Sequence, residues 1–140
     1  MSQSILLIHG PGTSSTIPGC VTTHCEELGL AVEFCQSDNV DELCKIIQDK
    51  ADGSCGLILN PYTPDTASDS SMEKYNSVID GLENDELLII ELHMQNIMAM
   101  ENFEARPLNG PAGRMGMVCG LDENGYLLAI NNIASKTGIG

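Results

Sequence analysis

Five short apolar runs alternate with segments of helical periodicity, and this alternation constrains the fold more than any other feature of the sequence. Each run is nearly continuous, as expected for strands that are buried on both faces of a parallel sheet. The runs occupy residues 5–9, 32–35, 55–59, 87–92 and 115–119. Helical spacing occupies residues 19–29, 39–51, 69–82 and 124–136. This succession predicts an α/β fold with right-handed crossovers between parallel strands.

Glycine and short polar residues mark where the predicted helices begin and end. Gly29 is suited to end the first helix, because glycine readily adopts the left-handed conformation of a helix C-terminus. Asp38 or Asn39 is placed to cap the second helix, and Ser68 to Ser71 offer caps for the third. These signals support the helical segments independently of their apolar spacing.

The chain length predicts one domain that spans residues 1–140. A sequence of 140 residues with 42% hydrophobic content can bury one ordinary core and is too short for two. It contains no apolar run of about eighteen residues, which a membrane-spanning helix would need. The N-terminal segment also lacks the basic and apolar regions of a secretion signal. We therefore expect a cytoplasmic protein.

The net charge of −14 limits the partners of the protein. Twenty acidic residues stand against six basic ones, so phosphate backbones and anionic membrane surfaces are repelled. We expect a small-molecule substrate, with neither nucleic acid nor membrane as a partner. The acid excess also favours solubility.

The cysteines are predicted to be buried free thiols. They are scattered through apolar stretches, no Cys-x-x-Cys pair occurs, and a reduced cysteine behaves as a small hydrophobic residue. Their positions are Cys20, Cys25, Cys35, Cys44, Cys55 and Cys119. His24 between Cys20 and Cys25 does not give a zinc-ligand spacing, so no metal site is predicted.

An acid/base pair lies at the end of the fourth apolar run. Glu91 and His93 are two residues apart, so on an extended strand both side chains share one face. The carboxylate could then orient the imidazole and increase its basicity, which suits proton transfer near neutral pH. The alternative is a structural histidine that ends the strand beside a hydrogen-bonded Glu91.

Two further polar residues end predicted strands at the same edge of the sheet. Asn60 could present its amide to a ligand hydroxyl, or it could simply close the turn into Pro61. His9 is either a second acid/base group or a packed residue at the end of the first strand. Open α/β sheets bind ligands at this carboxyl edge.

In order and spacing, five short motifs resemble type II 3-dehydroquinate dehydratase over nearly the whole chain. They are His9-Gly10-Pro11, Gln36-Ser37-Asp38, Asn60-Pro61, the segment from Glu91-Leu92-His93 through Asn96 to Glu101 and Phe103, and Gly125-Tyr126-Leu127-Leu128-Ala129. The resemblance implies a flavodoxin-like three-layer sandwich with a five-stranded parallel sheet of order 2-1-3-4-5. The site would lie over the carboxyl ends of the first, third and fourth strands.

The resemblance also implies roles for individual residues. His93 matches the general acid that protonates the departing hydroxyl, and Glu91 matches its supporting carboxylate. Asn60 becomes a ligand contact, and the backbone N–H groups of Met94 and Gln95 fall where the family binds the substrate carboxylate. No metal or organic cofactor is implied, and the family assembles as trimers packed into dodecamers.

The sequence departs from the family pattern at several site positions. In the family, residues 12–28 correspond to a longer lid with an Arg and a proton-abstracting Tyr, and neither residue type occurs here before Tyr62. Gly12 replaces a water-positioning Asn. Glu104 stands where a substrate-binding Arg is expected, and Arg106 could partly substitute for it. Tyr62 is the phenol best placed to replace the lid Tyr, whereas Tyr126 is interpreted as a core residue.

Three hypotheses follow. The first is a divergent lyase or cyclase of this fold that acts on a specialised metabolite, in which Glu91 orients His93, and His9 or Tyr62 is the opposing acid/base group. The second is a non-catalytic protein that binds a small molecule or serves as an assembly subunit. The third is a 3-dehydroquinate dehydratase with a rebuilt site.

Overall fold

The computed structural model describes residues 4–10, 16–60, 69–82, 87–93, 115–119, 121 and 123–137. The strands are β1 (Ser4–His9), β2 (Ala31–Gln36), β3 (Gly56–Asn60), β4 (Leu88–His93) and β5 (Met115–Cys119). The helices are α1 (Gly19–Leu28), α2 (Val40–Lys50), α3 (Asp69–Asp80) and α4 (Asn124–Thr137), and a short 3-10 helix, Ala51–Gly53, follows α2.

The strands form a parallel sheet in the order β2-β1-β3-β4-β5. Every neighbouring pair runs in the same direction, so all carboxyl ends meet at one edge. In the β1–β3 register His9 lies opposite Asn60, and in the β4–β5 register His93 lies opposite Cys119. The predicted α/β fold with a parallel sheet is confirmed.

Two apolar cores lie on opposite faces of the sheet because successive side chains of a strand point in opposite directions. We call them the α1/α4 face and the α2/α3 face, after the helices that cover them. The strand residues on the α1/α4 face include Ile5, Leu7, Ile58, Ile90 and Leu92. Those on the α2/α3 face include Leu6, Ile8, Leu57, Leu59 and Ile89.

Helix ends follow the sequence signals. The Asn39 side chain caps α2 by accepting the Glu42 backbone N–H at 2.7 Å. Asp38, the alternative cap, instead accepts a hydrogen bond from the Gln36 side chain at 2.7 Å. Gly29 ends α1 with a φ of 73°, in the left-handed region that favours glycine. Gly29 and Asn39 therefore mark where the crossover through α1 ends and where the crossover through α2 begins.

The described cysteine side chains are free thiols, and burial raises the pKa of each. A raised pKa keeps a thiol protonated, so these residues act as small packing groups rather than as nucleophiles. Cys25 and Cys44 are buried as predicted, whereas Cys20, Cys35 and Cys55 are only half-buried, so the prediction of full burial is wrong for these three. The side chain of Cys119 lies outside the described residues.

The helices are amphipathic, and their apolar sides pack on the sheet. The 14-residue α4 buries Tyr126, Ala129, Ile130 and Ile133 against it.

Within the described ranges, none of the helices has the length and apolar character needed to cross a membrane.

Replacement of Gly56 by alanine should destabilise the protein. A Cβ at Gly56 would come within 2.6–2.8 Å of three side-chain atoms of Ile133, which is fully buried and β-branched. Overpacking of this kind costs about 1–3 kcal/mol of unfolding free energy. Urea denaturation measures the loss. Gly53→Ala is the matched control, because its Cβ meets nothing within 4 Å. Equal unfolding free energies of Gly56→Ala and Gly53→Ala would contradict the close packing of Gly56 against Ile133.

Candidate functional site

Three strands end in polar residues at the same edge of the sheet. His9, Asn60 and His93 are the last residues of β1, β3 and β4, which are neighbours in the sheet. The backbone holds this edge together, since the Gly10 N–H donates to the Asn60 carbonyl at 2.8 Å and the Ser37 N–H to the His9 carbonyl at 2.9 Å. The edge therefore combines imidazole and amide groups where open α/β sheets bind ligands.

The sheet divides the described polar side chains into two groups. His9 and Asn60 contact Tyr126 of α4, which places them on the α1/α4 face. Glu91 contacts Tyr75 of α3 and therefore lies on the α2/α3 face. The two groups are held from opposite sides of the same layer, each by a buried tyrosine.

On the α1/α4 face, the Tyr126 hydroxyl joins Asn60 to His9. The Asn60 Nδ2 donates to the hydroxyl at 3.1 Å, and the same hydroxyl lies 2.8 Å from His9 Nε2. The His9 ring also meets Phe34 edge-on, with ring centroids 4.9 Å apart. His9, Asn60 and Tyr126 are 1%, 4% and 2% exposed. This environment resembles a packed network more than an open acid/base group.

Tyr126 is held in its neutral form. Burial raises the pKa of its phenol, and the Asn60 hydrogen bond lowers the pKa by less; nearby Cys20 and Glu123 add to the increase. A phenol whose pKa is raised above its ordinary value of 10.0 is protonated at physiological pH. Tyr126 is therefore poorly suited to act as the phenolate base of a proton abstraction.

On the α2/α3 face, Glu91 is a fully buried carboxylate. It is 0% exposed, and the Tyr75 hydroxyl donates to its Oε2 at 3.0 Å. His93 follows two residues later on the same strand, so strand periodicity assigns it to the same face. The His93 side chain lies outside the described residues. The structure adds one contact to this pair of residues: Tyr75 of α3 donates a hydrogen bond to the Glu91 carboxylate.

Five other candidates from the sequence lie outside the described residues. They are Gly12, Tyr62, Met94, Gln95 and Arg106. Their roles stay predictions. Among the side chains that the structure describes, no group of three or more His, Cys, Asp or Glu residues is arranged to hold a metal ion.

Sequence reasoning missed the two tyrosines that support the site. Tyr126 was interpreted as core, which its burial confirms, but its hydroxyl also bonds two site candidates. Tyr75 was not singled out at all. A buried tyrosine hydroxyl needs a hydrogen-bond partner, so each apolar helical segment with a tyrosine was a signal for a polar group on the facing strand.

The fold and its strand-end residues define an α/β protein with polar residues at the carboxyl edge of a parallel sheet, the edge at which open α/β sheets bind ligands. The family model described as dehydroquinase class II matches residues 6–134. The chain belongs to that family. The resemblance inferred from the motifs is confirmed.

Relatives cover most of the chain. A 3-dehydroquinate dehydratase of Chelativorans sp. is 32% identical over 129 residues, which are 92% of this chain and 84% of that protein. The one of Mesorhizobium japonicum is 29% identical, with 92% and 85% covered. The crystal structure of type II dehydroquinase from Propionibacterium acnes is similar with a TM-score of 0.75 and 26% identity, covering 96% of this chain and 99% of that one.

Replacement of Tyr126 by phenylalanine should lower stability in a pH-dependent way. The change leaves buried Asn60 and His9 groups without the hydroxyl, which costs about 1–3 kcal/mol. Because the folded pKa of Tyr126 is raised, its contribution is complete below about pH 10 and is lost as pH rises through the folded value. Urea denaturation of both proteins at neutral and alkaline pH measures this. If the difference in unfolding free energy between the two proteins is the same at neutral and alkaline pH, the stabilising role given to the neutral Tyr126 hydroxyl is contradicted.

The Tyr75–Glu91 hydrogen bond should show energetic coupling. Tyr75→Phe removes the donor to a buried carboxylate, so we expect a loss of about 1.5–3 kcal/mol of unfolding free energy. In a Glu91→Leu background the same change should cost much less, because the acceptor is gone. A denaturation cycle over the four proteins measures the coupling. Additive effects would show that the two side chains stabilise the fold independently.

Proposed function

We propose that the protein is a cofactor-independent dehydratase that eliminates water from 3-dehydroquinate. The observation that carries the proposal is the sequence Glu91-x-His93 at the carboxyl end of β4, beside Asn60 at the end of β3. Membership of the dehydroquinase class II family supports it, as does the 32% identity to a protein named 3-dehydroquinate dehydratase.

The acid side of the reaction is assigned to His93. Elimination of water from a β-hydroxy ketone removes a proton next to the carbonyl and protonates the departing hydroxyl. An adjacent carboxylate favours the charged imidazolium, so Glu91 is suited to keep His93 ready to donate. Tyr75 supports this role because its hydrogen bond fixes the orientation of the Glu91 carboxylate.

Substrate contacts are assigned to residues around the same edge. Asn60 binds a substrate hydroxyl, and the backbone N–H groups of Met94 and Gln95 bind the substrate carboxylate. Arg106 supplies positive charge, which a chain of net charge −14 needs locally in order to hold an anion. Gly12 is assigned to the substrate side of the site, where the resemblance to the family implies an Asn.

The proton acceptor is assigned to Tyr62, with His9 as the alternative. The chain has three tyrosines, and two of them, Tyr75 and Tyr126, are 2% exposed and hydrogen-bonded to buried side chains. His9 is 1% exposed, and its Nε2 is already paired with the Tyr126 hydroxyl. These contacts favour Tyr62, which follows Asn60 by two residues.

A second candidate is a lyase or cyclase of the same fold with a different substrate. The observation in its favour is that no Arg or Tyr precedes Tyr62, so the lid residues that the family uses on 3-dehydroquinate have no counterparts in residues 12–28. A non-catalytic binding or assembly protein is the remaining alternative.

Formation of the conjugated enone from 3-dehydroquinate, followed by ultraviolet absorbance, tests the proposal. We expect turnover by the purified protein and a loss of about 10²–10⁴-fold in kcat for His93→Ala, because a general acid contributes that factor. Glu91→Gln should lose less, since it removes the charge but keeps hydrogen bonding. His24→Ala is the matched control, because His24 pairs with Asn131 of α4 near the surface.

The possible outcomes separate the candidates. Turnover that His93→Ala abolishes and His24→Ala preserves supports the dehydratase. Folded wild-type protein without turnover excludes it and favours the lyase with another substrate or the non-catalytic alternative. Turnover unchanged in His93→Ala would exclude the assigned acid.

A further inference from the structure

We propose that Tyr126 is a positioning residue for the site: its one hydroxyl sets the hydrogen-bonding direction of Asn60 and His9 together, so that Asn60 presents its carbonyl oxygen to a substrate hydroxyl. The hydroxyl-binding part of this inference rests on the proposed function. The positioning part stands on the contacts of three buried side chains.

The direction of the network follows from donor and acceptor chemistry. An amide nitrogen can only donate, so the Tyr126 oxygen accepts from Asn60 Nδ2. The phenol has a single proton, and among the described residues the other polar group at its oxygen is His9 Nε2, 2.8 Å away. We assign that proton to the contact with Nε2, in which case a neutral His9 carries its own proton on Nδ1. Burial raises the pKa of Tyr126, which keeps the phenolic proton in place.

Asn60 has an oxygen that the described part of the chain leaves without a donor. The side chain is 4% exposed, and its hydrogen bond among the described residues is made by Nδ2 to Tyr126. An amide oxygen has two acceptor sites, and a ligand hydroxyl that donates to Oδ1 would add a hydrogen bond in a buried position. Substrates with a hydrogen-bond donor at this position are therefore favoured over those without one.

The surrounding backbone is already fixed, so only the side-chain orientation depends on Tyr126. His9 and Asn60 are paired in the β1–β3 register, and the Gly10 N–H donates to the Asn60 carbonyl. The terminal torsion of an asparagine is broad, however, and its two orientations exchange an acceptor for a donor. Loss of the Tyr126 hydroxyl would let the amide rotate while the strand stays in place.

Nitrogen NMR of labelled protein tests the positioning directly. In Tyr126→Phe we expect the side-chain amide signal of Asn60 and the Nε2 signal of His9 to shift together, while the His24 ring signals stay unchanged. Loss of signals in Asn60→Ala and His9→Gln assigns them. Unchanged Asn60 and His9 signals in Tyr126→Phe would overturn the proposal.

A second variant keeps the test decisive if Tyr126→Phe does not fold. Asn60→Asp provides a carboxylate that cannot donate, so at about pH 8, above the ordinary pKa of aspartate, the Tyr126 proton should turn toward it. His9 Nε2 must then become the donor. Its nitrogen shift should change from that of an acceptor to that of a protonated nitrogen. If the nitrogen chemical shift of His9 Nε2 in Asn60→Asp stays at the wild-type value, the proposal that one Tyr126 hydroxyl sets the hydrogen-bonding direction of both Asn60 and His9 is overturned.

Kinetics with 3-dehydroquinate test the consequence for the substrate. We expect Tyr126→Phe to lower kcat/KM about tenfold, which corresponds to one misplaced hydrogen bond, and to have no further effect in an Asn60→Ala background. An equal loss of kcat/KM in the wild-type and Asn60→Ala backgrounds would overturn the proposal that Tyr126 acts on the substrate through Asn60. If the wild-type protein has no turnover, the proposed function fails, while the nitrogen signals still decide whether Tyr126 positions Asn60 and His9.

Discussion

The pleat of the central parallel sheet is the constraint on which the rest of the structure depends. Because alternate side chains of a strand face opposite ways, the last residues of β1 and β3 turn to the α1/α4 face. Glu91 of β4 turns to the α2/α3 face. The parallel direction of all strands brings their carboxyl ends to one edge. Site residues that are distant in sequence therefore become neighbours, although their supporting contacts lie in separate layers.

On each face of the sheet, a tyrosine of a covering helix forms hydrogen bonds with polar side chains of the strands. A polar side chain at the end of a buried strand needs hydrogen bonds, and the other buried side chains of the covering helix are apolar. Tyr75 of α3 provides a donor to Glu91, and Tyr126 of α4 links Asn60 with His9. A tyrosine is suited to this position because its ring packs with aliphatic side chains while its hydroxyl reaches the strand. The helices thus complete the core and orient the candidate site.

The chain shares the architecture of its family, and its first strand ends in a histidine that is packed inside the fold. Its family membership and the TM-score of 0.75 to a type II dehydroquinase fit the sheet and its helices. No Arg or Tyr precedes Tyr62 in the sequence, and a histidine, His9, ends β1. In the α1/α4 layer the imidazole of His9 is held by Tyr126 rather than left open. The imidazole of His9 is therefore part of the packing at this edge of the sheet.

The sequence by itself determined the element order, because continuous apolar runs, helical spacing and caps such as Asn39 and Gly29 are local signals. It also determined that Glu91 and His93 end one strand, since their spacing matches the strand period. Only the tertiary structure decided which partners these polar residues have. Asn60 and Tyr126 are 66 positions apart, and His9 and Tyr126 are 117 apart. No local pattern encodes such a contact, because it arises only when helix and strands pack in three dimensions.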